Sequence, residues 1–97
     1  MAQTPEGKVK SAVTKILKEY GVYYFFPATH GFGRSGVPDI ICCYKGRFIG
    51  IECKAGKGKT TALQERELRN IDTAGGIAVV INETNIDDVK TILEEIK

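Results

Sequence analysis

Three charged residues set in apolar strands are the first feature of this chain that could do chemistry. In "VPDIICCYKGRFIGIECK", Val37 to Lys54, the residues Asp39, Glu52 and Lys54 stand among Ile, Val, Phe and Cys. Lys45-Gly46 reads as a two-residue hairpin turn, which pairs Tyr44 with Arg47 and sets Asp39 opposite Glu52. Alternation along a strand puts Glu52 and Lys54 on one face, and cross-strand pairing brings Asp39 to it. Two carboxylates so placed, with Cβ atoms roughly 5 Å apart, repel each other. Lys54 offsets part of this, but one ammonium against two carboxylates leaves a negative site. A hard divalent cation fits it, because Mg²⁺ takes one or two carboxylates together with waters and phosphate oxygens. The plainer account is a solvent-facing charge cluster, or a Glu52–Lys54 pair of little energetic consequence.

The flanking elements decide what else can reach that face. Thr4-Pro5 opens a helix, with Thr as cap and Pro in the first helical position, and Gly21 ends it. Val9, Ala12, Val13, Ile16, Leu17 and Tyr20 recur at helical spacing, while Lys8, Lys10, Lys15 and Lys18 lie mostly off that stripe. Glu6 extends the inward stripe, although an acid at a helix N-terminus is favourable without any further role. "VYYFF" is a strand, followed by the loop "PATHGFGRSG", the hairpin, and the loop "AGKGK". A second helix runs from about Thr61 to Ala74, with Gln64, Leu68 and Ile71 on its buried side. Thr61-x-x-Gln64 is also a capping box, which explains Gln64 equally well. "IAVVI" reads as a strand buried on both faces. Thr84 or Asn85 caps a last helix carrying Ile86, Val89, Ile92, Leu93 and Ile96. The order is αβββαβα in one domain, residues 1–97, an α/β fold without linker or internal repeat.

Two glycine motifs mislead. "GFGRSG" fits the dinucleotide fingerprint, but that motif must open a helix and this one leads into a strand. Its glycines serve a sharp bend or a close approach, with His30 and Arg34 nearby. "GKGKT" resembles a phosphate-binding loop, yet the position five before Gly58 is Cys53 rather than Gly. Lys57 and Lys59 remain candidate phosphate contacts.

Totals narrow the partner. The 97 residues are 42% hydrophobic and 27% charged, an ordinary globular balance. No apolar run approaches the roughly 18 residues of a membrane span, and the N-terminus lacks the apolar core of a secretory signal. Three cysteines without C-x-x-C spacing indicate core thiols in a reducing compartment. Net charge is +2, but residues 1–60 carry ten Lys/Arg against four Asp/Glu, and residues 61–97 carry four against eight. A basic half suits a polyanion such as nucleic acid.

Glu6, then "GVPD" ending at Asp39, then "ECK" giving Glu52-x-Lys54, then Gln64, resembles the PD-(D/E)xK nuclease superfamily. More narrowly, "GRSGVPDIICCYKGRFIGIECK" is similar to the signature of the stand-alone virus-type replication–repair nuclease domain, VRR-NUC. The resemblance implies a restriction-endonuclease-like core with a mixed central sheet flanked by helices. It implies a phosphodiester-cleaving, structure-selective deoxyribonuclease, with four-way junctions as substrate and a homodimer as the working form. Asp39 and Glu52 would hold Mg²⁺ or Mn²⁺ with the backbone carbonyl of Cys53, and Glu6 would reach the ion directly or through water. Lys54 would contact the attacking water or the scissile phosphate, and Gln64 would orient Lys54 or the phosphate. Apart from the resemblance, the two glycine loops offer His30, Arg34, Lys57 and Lys59 as the nucleic-acid contacts. Charge stabilisation suits Lys54 better than a base role, because neighbouring carboxylates favour its charged form. Phe25, Phe26 and Phe32 are candidates for a dimer surface. The expected setting is intracellular and cytoplasmic, as for a virus- or prophage-encoded protein. The competing reading is a module of the same fold that binds nucleic acid without cutting it.

Overall fold

The first helix, α1 (Pro5–Glu19), starts where Thr4 caps it, its side chain accepting a hydrogen bond from the Gly7 N–H at 3.0 Å. The computed structural model describes residues 3–28 and 33–97. The inward stripe of α1 buries Val9, Val13, Ile16 and Leu17, and the lysines stay off it. Three strands follow: β1 (Tyr23–Phe25), β2 (Ile40–Tyr44) and β3 (Arg47–Cys53). Then come α2 (Ala62–Thr73), β4 (Ile77–Ile81) and α3 (Asp88–Glu95). This is the expected αβββαβα order.

The sheet order is β1-β2-β3-β4, antiparallel through β3 and parallel between β3 and β4. The mixed sheet follows from connection length: Lys45-Gly46 closes a hairpin, whereas α2 supplies the crossover that parallel strands need. Lys45 and Gly46 both adopt positive φ, 51° and 81°, as the tightest hairpin turn requires. The observed pairing of Tyr44 with Arg47 and Ile40 with Ile51 is the register read from the turn.

One face of the sheet forms the core. Ile40, Cys42, Ile49, Ile51 and Cys53 pack there with the α1 stripe and with Val89 and Leu93 of α3. The hydroxyl of Tyr20 donates to Glu94 at 2.6 Å, tying the end of α1 to α3. The opposite face carries α2 and is thinner, leaving Phe25 and Phe48 nearly half exposed.

Three local expectations are corrected. β4 is an edge strand among the described residues, and it is not buried on both faces: Ile77, Ala78 and Val79 are half-buried and Val80 is exposed. The buried residue of α2 is Glu67, whereas Leu68 and Ile71 are only half-buried. The last helix begins at Asp88, later than Thr84 or Asn85 would cap it. Those two residues instead join a turn with Asn82: Asn85 Oδ1 accepts from the Asn82 N–H at 2.7 Å, and the Thr84 N–H donates to Asn82 Oδ1 at 2.8 Å.

Candidate active site

Asp39, the residue before β2, is fixed by the neighbouring strand. Its Oδ2 accepts a hydrogen bond from the Cys53 N–H at 2.9 Å. Glu52 lies one residue from the end of β3 and is 1% exposed. Glu6, in the exposed first turn of α1, completes a cluster in which the three side chains each offer a carboxylate oxygen within 4.8 Å of the others. The helix start set by Thr4-Pro5 and the hairpin register therefore deliver three acids to one point.

The two oxygens of Glu52 differ. Oε2 accepts from Gln64 Nε2 at 3.1 Å and lies 3.3 Å from Lys54 Nζ. Oε1 is buried without a hydrogen-bond partner among the described residues. Burial, reinforced by the charge of Asp39 and opposed by Lys54, pushes the Glu52 carboxyl up to about 7. A buried acceptor with no donor is costly and calls for a positive ligand. Oxygen donors in this number suit a hard divalent cation.

Gln64 closes the capping box and also reaches the acids. Its Oε1 accepts from the Thr61 N–H at 2.9 Å and closes the capping box, while its Nε2 reaches Glu52. An amide can do both because one end accepts and the other donates. Gln64 thus touches Glu52, whereas the sequence reading directed it to Lys54 or the phosphate.

The structure brings Glu6, Asp39, Glu52, Lys54 and Gln64 together. Cys53 takes part through its N–H to Asp39. Lys59 lines a cavity of about 460 Å³ together with Glu6 and Lys54, and Lys57 is exposed outside that lining. The loop that carries both lysines is anchored where the Gly56 N–H donates to the Glu83 carboxylate at 2.9 Å. His30 and Phe32 lie outside the described residues.

Arg34 is engaged by a protein partner. Its Nε and Nη2 donate to the two oxygens of Glu67 at 2.9 and 2.8 Å, and Glu67 is 6% exposed. The hydrogen bonds from Arg34 hold the Glu67 carboxyl below its usual range. Two residues on, Gly36 adopts φ +80°, and a Cβ there would sit 2.6 Å from the Leu63 carbonyl carbon. The segment leading to Asp39 is therefore docked on α2 at two points, one of which only glycine permits.

Sequence reasoning missed Glu67 and Lys10. Glu67 falls three residues after Gln64, inside the stripe that continues to Leu68 and Ile71, and that spacing was its signal. Lys10 falls one turn after Glu6 and lines a cavity of about 220 Å³ with Glu6 and Asp39.

No family model matches the chain. It is 31% identical over 81 residues to "Putative nuclease p44" of Acyrthosiphon pisum secondary endosymbiont phage 1, covering 82% of this chain and 84% of that protein. Among solved structures, a VRR_NUC domain superposes with a TM-score of 0.74 at 21% identity, covering 98% of this chain and all of the other. A second VRR_NUC domain protein gives a TM-score of 0.65 at 21% identity, covering 98% of this chain and 89% of its own. The fold is that of the VRR_NUC domains, and the chain belongs to the same family as the phage's "Putative nuclease p44".

Proposed function

We propose that this nuclease is a Mg²⁺- or Mn²⁺-dependent, structure-selective DNA endonuclease that acts on branched DNA, four-way junctions included, as a homodimer. The observations that carry the metal dependence are the convergence of Glu6, Asp39 and Glu52 and the Oε1 of Glu52, buried without a hydrogen-bond partner among the described residues. Asp39 and Glu52 would hold the ion with the Cys53 backbone carbonyl, and Glu6 would reach it directly or through water. A bound divalent ion polarises the phosphate and lowers the pKa of a water.

The chain's own residues do the rest. Lys54, 3.3 Å from Glu52 Oε2, presents its ammonium to the scissile phosphate and to the water beside it. Gln64 holds Glu52 in position while capping α2, so the ligand is fixed from the helix rather than by its own strand alone. Lys59, lining the cavity with Glu6 and Lys54, and the exposed Lys57 would contact the substrate from the loop after β3, and His30 and Arg34 are assigned to the nucleic-acid side on the reading of the "GFGRSG" loop. Arg34 also holds its loop against α2 through Glu67. The dimer reading is supported by Phe25 and Phe48, exposed beside a cavity of about 310 Å³ lined by Val37, Pro38, Ile41 and Ile71. Phe26 points to the α1 side, where Lys10 Nζ lies 4.2 Å from its ring centroid. A two-fold pair of sites would cut two strands of a junction symmetrically.

The test is cleavage of labelled four-way junction and duplex DNA with Mg²⁺, Mn²⁺ or chelator, beside Asp39→Ala. Metal-dependent cutting of the junction in preference to the duplex, lost in Asp39→Ala, is expected. Binding without cutting under every metal condition would return the acids to a structural role.

A further inference from the structure

The acidic cluster lies in the middle of a longer trench. The cavity of about 220 Å³ over Glu6 and Asp39 shares Gly7 and Lys10 with a groove of about 530 Å³ along α1, lined by Lys10, Lys15, Lys18 and Phe26. At its other end it shares Thr4 and Glu6 with the cavity that reaches Lys54 and Lys59. Three adjoining depressions thus run from the C-terminal half of α1, past the acids, to the loop after β3.

We propose that the outward face of α1 is a nucleic-acid track: Lys10, Lys15 and Lys18 bind the phosphate backbone of the strand on one side of the scissile phosphate, and the Lys54–Lys59 segment binds the other side. The proposal rests on the nuclease reading only for where the scissile phosphate sits. Several features of α1 carry it. No carboxylate lines the α1 groove, and the polar groups beside its lysines are the amide of Gln3 and the hydroxyls of Ser11 and Thr14. None of these three lysines is paired with an acid among the described residues, so their charge is available to a polyanion. Lys10 and Lys18 are eight residues apart, roughly 12 Å along the helix, which spans about three to four phosphates of one strand. Lys10 is the junction of the trench. Its ammonium lies over the Phe26 ring, 4.2 Å from the centroid, and it lines both the α1 groove and the cavity over Asp39. Phe26 is half exposed in the same groove and offers an aromatic edge to a base of the strand.

The test is anisotropy of labelled DNA in chelator, across a salt series, for the parent, Lys15→Glu, Lys18→Glu and Lys45→Glu. Lys45, exposed on the hairpin turn, gives the same change in net charge away from the trench. The track predicts about tenfold weaker binding for Lys15→Glu and Lys18→Glu, with a salt slope lower by about one each. Lys15→Gln and Lys18→Gln lose less, and Lys45→Glu stays within about twofold of the parent. In cleavage, KM rises for the α1 variants while kcat holds. Equal weakening by all three reversals, or parental affinity in the α1 variants, would overturn the track. The two readings fail separately. A parent that binds through these lysines but cuts nothing with Mg²⁺ or Mn²⁺ contradicts the nuclease site alone. A parent that cuts while Lys15→Glu and Lys18→Glu keep its affinity contradicts the track alone.

Discussion

Glu52 is a carboxylate at 1% exposure whose ordinary acidity is opposed by burial and by Asp39. Its folded pKa of about 7 exceeds the 4.5 of the free group. The folded state therefore holds a proton that the unfolded chain has released between those values. Stability from Glu52 is complete below about pH 4.5 and is lost as pH rises through about 7, a change on the order of 3 kcal/mol. In chelator, the urea midpoint is expected to fall from pH 5 to pH 8 for the parent, and Glu52→Gln is expected to flatten that fall. At pH 8 the Gln variant is then the more stable protein, yet it loses metal binding and cleavage. A metal-free Glu52→Gln less stable than the parent at pH 8 would contradict the unpartnered charge. Gln64 separates in the same manner. Gln64→Glu keeps an acceptor for the Thr61 N–H but loses the donor to Glu52 and adds a like charge. Cleavage is expected to fall at least tenfold, whereas Gln64→Ala also loses the cap, at about 1 kcal/mol. A Gln64→Ala variant as stable as the parent would show that the cap contributes nothing.

At the scale of elements, the parts fixed by neighbours in sequence were legible. The Lys45-Gly46 turn dictates the hairpin register, and so the sequence alone sets Asp39 opposite Glu52, one position beyond the paired Ile40 and Ile51. Thr4-Pro5 and Thr61-x-x-Gln64 likewise mark their helix starts. What was not legible depends on distant partners. Glu67 is buried because Arg34, thirty-three residues earlier, supplies a bidentate partner, and periodicity cannot name it. "IAVVI" looks buried on both sides, but its place at the sheet edge is set by the topology of the crossover. The Gly36 contact yields a prediction. Gly36→Ala introduces a methyl 2.6 Å from the Leu63 carbonyl carbon at φ +80°, so the loop must leave α2. A cost of about 1–3 kcal/mol and a parallel loss of cleavage are expected, measured by urea unfolding and initial rates. Wild-type stability would show that the loop tolerates the methyl. β2 also sorts its thiols. Cys42 and, on β3, Cys53 are buried with thiols pushed up to about 12, while Cys43 is exposed. A thiol reagent should label one cysteine per native chain and three after denaturation; rapid labelling of all three in the native protein would contradict the described core.

For the whole molecule, the uneven charge of the sequence becomes a spatial arrangement. Basic residues of the first sixty positions flank the acids along the trench, with lysines of α1 at one end and of the loop after β3 at the other. On the opposite side of the sheet, Phe25 and Phe48 mark the thin face beneath α2. If that face joins two copies, Phe48→Arg should halve the mass seen by light scattering and leave metal binding intact. An unchanged dimer mass would move the interface elsewhere, and a monomeric, active parent would remove the dimer. No described helix is long and apolar enough to cross a membrane. The central claim is that Glu6, Asp39 and Glu52 form one divalent-cation site, and it is tested most directly by titrating Mn²⁺ into the parent and Glu52→Gln by calorimetry at pH 8. The account predicts saturable binding to the parent that Glu52→Gln abolishes together with cleavage. Identical Mn²⁺ binding by the two proteins, or cutting that survives in chelator, would contradict it.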